Sequence, residues 1–220
     1  IEPDYGGDSI EAEAEWAEKT DLDAFAPNGA YTLDFTTFHD GSPSATLTLN
    51  PDSYPNTPTI QNLAAAQSID PNSSFTLTWN PMNNPGGNDW VVFFVENDFG
   101  RDLIETPDPG EIGVLAGSAT SFTIPAGTLP PGRTYECELI FGKTTEVDSS
   151  DYDGVRGCAS FAKVTSFEIT TTGDPIVAEL DMERVDQGQF KFRVLGEKRF
   201  AYTIESSMDL MNWTKLFSQS

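Results

Sequence analysis

Residues 31–38, YTLDFTTF, set Tyr31, Leu33 and Phe35 on one side of the chain and Thr32, Asp34 and Thr36 on the other. A period of two gives an extended strand one core face and one water face. HDGSPS is a turn by composition, and ATLTLN (45–50) alternates again. Residues 29–56 are therefore expected to hold a β-hairpin, ending in the proline-rich joint PDSYPNTP. The same signal recurs from Thr59 to Thr172 and predicts strands near 59–66, 74–80, 89–97, 99–105, 119–124, 133–142 and 158–171. Seven short strands between turn signals predict an all-β, antiparallel two-sheet sandwich over residues 57–173. Three more β-rich stretches, AELDMERV, QFKFRVLG and RFAYTIESS, fill residues 174–220 and lead into MDLMNWTKLF. So short an extension cannot build its own core, and it is expected to dock on the sandwich or continue past Ser220.

Residues 1–28 break the pattern. GGDSIEAEAEWAEKTDLDAFAPNG holds most of the helix formers, and Asp8 with Glu11 has capping-box spacing. Thr20 with Asp23 repeats that spacing, and Pro27 before Asn28-Gly29 stops the segment. Ile10, Ala14 and Ala17 share one face beside Trp16, which predicts one or two acidic, weakly apolar helices.

Charge narrows the partners. The chain carries 35 carboxylates against 12 Lys and Arg, a net −23. Such a surface repels phosphate backbones and anionic lipid, so neither nucleic acid nor membrane insertion is expected. No run of about 18 apolar residues is present. Cations, basic proteins and neutral glycans remain as partners. The hydrophobic fraction of 38%, with fifteen Phe, suffices for a packed core. The chain opens on Ile1, from which a processed or excised segment is the natural inference.

FTLTWNP (75–81) aligns Phe75, Leu77 and Trp79 on one strand face, and ATSFTIPAGTLPPGRTYECEL (119–139) runs from a strand through Leu129, Pro131 and Gly132 to Tyr135. These stretches resemble fibronectin type III domains, which belong to the Ig-like sandwiches, over about half the chain. The resemblance implies that Trp79 fills the core, that Leu129 plugs one end, and that the Tyr135 hydroxyl ties back to the preceding loop as a tyrosine corner. It implies a binding or spacing module and names no ligand. LDAFAPNGAYTLDF, SFAKVTSFEITTTGD and YTIESSMDLMNW, with the stretches above, also resemble uncharacterised modules of large secreted bacterial proteins. SSMDLMNWTKL (206–216) resembles a hairpin of propeller-type glycosidases. A single such hairpin cannot enclose a sugar-cleaving site, so its reading is structural: Asp209 caps a turn while Leu210 and Trp213 clasp the hairpin.

TTEVDSSDYDGVRGCAS (144–160) packs Glu146, Asp148, Asp151 and Asp153 into eight residues. Asp151, Asp153 and Gly154 mimic part of an EF-hand, but Ser160 stands where a bidentate Glu is required. A looser calcium cage from Asp148, Asp151 and Asp153 is the metal expectation, weighed against solvated loop carboxylates. If the tip is tight, Cys137 faces Thr165 and cannot reach Cys158. If residues 148–157 form a wide loop, the two become cross-strand neighbours. The many turn formers suit the wide loop, so a Cys137–Cys158 bridge is expected, adding ~3 kcal/mol; two buried thiols are the alternative.

Catalytic patterns are missing: one histidine, His39 beside a turn, no nucleophile motif, no phosphate-cradling loop, no Cys/His cluster. The expectation is a non-enzymatic extracellular or cell-surface module for adhesion, spacing or attachment within a larger secreted protein. The alternative is a glycan-binding accessory module, for which Trp90 and Tyr152 are the candidate aromatic platform.

Overall fold

The computed structural model describes residues 16, 18–34, 36, 41–42, 44–49, 53–97, 102–150, 156–176, 178–185, 189–196 and 202–219. Among the described residues the chain is mostly β, with antiparallel sheets and two short helices. Asp8, Glu11, Ile10, Ala14, Ala17 and His39 lie outside the described residues.

Two compact units form. The first joins residues 1–53 to residues 144–161. In it α1 (Lys19–Phe25) starts after Glu18 with no side-chain cap, so the Thr20/Asp23 spacing does not cap it. Lys19 instead reaches Asp23 one turn on, at 2.6 Å, and Trp16 lies against Phe25 with ring centroids 4.4 Å apart. The expected hairpin follows as β1 (Gly29–Asp34) and β2 (Ser44–Leu49), paired from Gly29↔Leu49 to Asp34↔Ser44.

The second unit, residues 54–143 with 162–220, holds the main core. Residues 59–66, predicted as a strand, instead make one bridge, Ile60↔Trp79, and a short helix α2 (Leu63–Ala66). The alanine run favours helix, and Asn62 withdraws the backbone from pairing by binding Thr78 N and Thr76 O with its own amide. Strand β3 (Phe75–Thr78) pairs with β7 (Ser121–Ile124). A second sheet runs in the order β5 (Asp102–Glu105), β4 (Trp90–Glu96), β8 (Thr134–Asp148), β9 (Gly157–Thr170), with the two-residue β6 (Leu115–Ala116) also on β4. The two sheets share one core: Leu77, Trp79 and Ile124 from the first meet Val91, Phe93, Val95, Leu139, Phe141 and Ile169 from the second. This arrangement is compatible with a β-sandwich. Residues 179–219 add two separate hairpins, β10 (Glu179–Val185) with β11 (Gln189–Leu195) and β12 (Tyr202–Ser206) with β13 (Thr214–Gln219).

The end of the core near Leu129 is tied by hydrogen bonds. Tyr135 is 1% exposed, and its hydroxyl donates to Pro130 O at 2.7 Å. Thr171 Oγ1 donates to the same carbonyl at 2.7 Å. Between them Gly132 sits at φ +66, where a Cβ would lie 2.6 Å from Gly173 O, so only glycine fits this turn. Tyr135→Phe is expected to cost about 1 kcal/mol in urea unfolding, because Thr171 keeps Pro130 O satisfied. A loss above about 2.5 kcal/mol would show the hydroxyl holds more than this one carbonyl.

Candidate functional site

Strand β4 and its neighbours decide what their sheet presents to water. Val91, Phe93 and Val95 are buried to 0% exposure, so Phe94 and Glu96 point to the other face. On β8, Tyr135, Cys137, Leu139 and Phe141 are buried, which sends Glu136 and Glu138 outward. Registers align these groups: Glu96 faces Glu136 on one side and Asp102 on the other, and Phe94 faces Glu138 and Glu105. Strand β5 would not do this if it were regular. Asp102 and Glu105 are an odd number of residues apart and would face opposite ways. A bulge where Val95↔Ile104 gives way to Glu96↔Asp102 buries both Leu103 and Ile104 and exposes both carboxylates.

The same face continues onto β9. Arg133 bonds to Thr171 and Glu138 Oε1 accepts from Ser166 Oγ at 3.0 Å, which puts Glu168 opposite Glu136. Four carboxylates on four adjacent strands, Asp102, Glu96, Glu136 and Glu168, therefore stand in one row, with Phe94 half-buried in the next. An open groove is lined by Phe94, Glu96, Glu136, Glu138, Ser166 and Glu168. Among the described residues no ion pair reaches Glu96, Asp102, Glu136, Glu138 or Glu168. Burial first, then the charges of Asp102, Glu136 and Glu138, push the Glu96 carboxyl above its ordinary range.

A raised carboxyl pKa stabilises the fold fully below the unfolded-state value and loses that stabilisation as pH rises through the folded-state value. Glu96→Gln is therefore expected to gain about 0.5 kcal/mol over wild type at pH 7, and the gain should vanish toward pH 4. Urea unfolding of both proteins across that range checks it; a pH-independent difference would refute the like-charge row.

The strand ends bracket the wide loop expected between residues 148 and 157. Strand β8 runs on to Asp148 and β9 starts at Gly157. Within residues 144–161 Thr144 Oγ1 meets Ser160 Oγ at 3.2 Å, and Thr145 Oγ1 donates to Thr48 O. Asp148 accepts from Ser150 N and from Ser150 Oγ at 2.6 Å, closing a local turn. Asp151, Tyr152 and Asp153 lie outside the described residues, so one of the three calcium candidates is placed. Among the described residues no group of three metal-ligating side chains converges.

The cysteine bridge is a correction. Both thiols are free. The register places Cys137 opposite Phe167 in the core, while Cys158 is exposed beside Thr144 and Ser160. A connection between Asp148 and Gly157 centres near residues 152–153, whereas a bridge from Cys137 to Cys158 needs a centre near 147–148. Burial pushes the Cys137 thiol up, out of reach of deprotonation at neutral pH.

Trp90, a candidate for sugar contact, is half-buried against its strand partner Gly142. A Cβ at residue 142 would lie 2.0 Å from Trp90 Cε2, so the ring covers the bare glycine. The hairpin clasp is also revised. Asp209 does cap its turn, accepting from Met211 N at 2.9 Å, Asn212 N at 2.8 Å and Asn212 Nδ2 at 2.6 Å. These donors hold its carboxyl well below the usual range. But Leu210 is 78% and Trp213 55% exposed, so neither is spent on holding strands together. Trp213 instead lines a second open groove with Tyr202, Thr203, Ile204, Glu205 and Val194.

The carboxylate row escaped the sequence reading, although ENDFGRDLIE and YECEL showed acids at outward positions. No helix among the described residues is long and apolar enough to cross a membrane. No protein-family model, curated protein or solved structure matches this chain.

Proposed function

We propose that the chain is a fibronectin type III-like, non-catalytic module for adhesion, spacing or surface attachment within a larger secreted protein. One observation carries the reading. Trp79 and Tyr135 are buried in a core between a β3–β7 sheet and a β5–β4–β8–β9 sheet, and the Tyr135–Pro130 tie closes its end. Such a scaffold binds through its surfaces, and its outer sheet face offers a carboxylate row around Phe94. That chemistry fits a basic protein surface, since an arginine can stack on the ring and pair with the acids around it.

Titration with an arginine–valine alternating peptide, followed by amide chemical shifts, tests this. Shifts centred on residues 94–96, 136–138 and 166–168, weakening with salt and lost in the triple variant Glu96→Gln, Glu136→Gln, Glu138→Gln, are the expected result. Binding that ignores both salt and the variant would overturn attachment through this face.

A second reading, a glycan-binding accessory module, is favoured by the exposed Trp213 at a groove.

A further inference from the structure

We infer that the edge of β9 over Ala162, Val164 and Ser166 accepts an extended basic segment of a partner protein as an added β-strand. This rests on the reading of a basic partner above and adds how that partner is held.

The open edge follows from the hydrogen-bond parity of β9. Thr171, just past its end, donates its N–H to Arg133 O at 2.9 Å, so odd positions spend their backbone groups on β8. Even positions turn theirs away. Two of these are met from the far side: Glu168 O accepts from Gln67 Nε2 at 2.7 Å, and Thr170 O from Ile69 N at 2.9 Å. Ala162, Val164 and Ser166 lie next along the same edge, and β9 ends the order of its sheet. Among the described residues nothing pairs with their N–H and C=O groups. Ala162 and Ser166 are exposed and Val164 is half-buried. Such a row of donors and acceptors is completed by another strand. Other edges are spent or short. On β3, Asn62 takes Thr78 N and Thr76 O, and Gln61 N takes Thr78 O. Strands β5 and β7 run four residues each, and β5 pairs through a bulge.

Charge sets the occupant. Even positions of β9 share the outer face, where Ser166 Oγ donates to Glu138 Oε1 at 3.0 Å and Glu168 stands opposite Glu136. An added strand lies about 4.8 Å beyond β9. Arginine side chains on its outer face would run their stems over Val164 and bring their heads to Glu138 and Glu168. Odd positions face the core, where Phe167 packs at the rim, so the partner's alternate side chains are apolar. Lys163, a residue type that blunts edges, lies on this core side and leaves the outer face acidic. A second copy of the chain would instead bring the same carboxylates and its net −23 against them.

The arginine–valine alternating peptide tests this when backbone N-methyl groups are placed either on every arginine or on every valine. Each pattern blocks one edge of the peptide and keeps its charge and side chains. One pattern is expected to weaken binding to the whole chain at least about tenfold, and the other less than about twofold. Loss on arginine methylation assigns an antiparallel strand, and loss on valine methylation a parallel one. The unmodified peptide should also slow hydrogen exchange of the Ala162, Val164 and Ser166 amides about tenfold. Val164→Pro, which removes one outward N–H and is tolerated at an edge, should weaken binding severalfold. Equal effects of the two methylation patterns would overturn strand addition and leave attachment through the acidic face standing. Absence of binding by the unmodified peptide would remove both. Protection of the same three amides in a dimer of the chain alone would give the edge to a second copy and overturn the basic occupant.

Discussion

Trp79→Ala is expected to destabilise the chain by about 4 kcal/mol in urea unfolding, with no change in the slope of the transition. Two losses combine. The indole is 1% exposed, so its removal leaves a cavity in the shared core unless the two sheets collapse together. Ala119 O loses its donor, which held it at 2.9 Å. Trp79→Phe separates these contributions. It keeps most of the volume but not the N–H, and should cost about 2 kcal/mol. A loss below 1 kcal/mol for the alanine variant would mean that the indole is not central to the core.

Gly142→Val is expected to cost about 3 kcal/mol, the upper range for overpacking, although the glycine sits in a regular strand. The new side chain would occupy the space of the Trp90 ring, whose Cε2, Cζ2 and Cδ2 lie within 2.4 Å of the built Cβ position. The ring must leave its seat, exposing apolar surface on the outer sheet face. Trp90→Ala removes the obstacle. In a double-mutant cycle the pair should be less damaging than the sum of the single changes by about 1–2 kcal/mol. Strict additivity would show that Gly142 serves backbone geometry and not the ring. The cycle also bears on the glycan alternative, because a Trp90 needed as cover for Gly142 is not available as a flat platform.

How legible the site was depended on the range of the interactions behind it. The tyrosine-corner stretch was readable because Leu129, Gly132 and Tyr135 lie within seven residues. Asp209 was readable as a turn cap because its partners, Met211 and Asn212, are two and three positions away. The carboxylate row was not readable, since Asp102, Glu96, Glu136 and Glu168 span more than 70 positions and meet through pairing registers. Residues 59–66 alternate like a strand, but the alanine run and the Asn62 side chain, bound to Thr76 and Thr78, favour the helix.

The sequence by itself determined where most strands form, residues 59–66 excepted, and that the chain is acidic and mostly β. Period-2 alternation and turn residues are local properties that need no partner strand. Tertiary structure alone decided the bulge that turns Asp102 and Glu105 to one face, the register that separates Cys137 from Cys158, and the exposure of Trp213. Each depends on which residue of a distant strand stands opposite. A shift of one position in that pairing exchanges the buried and exposed faces while the sequence stays the same.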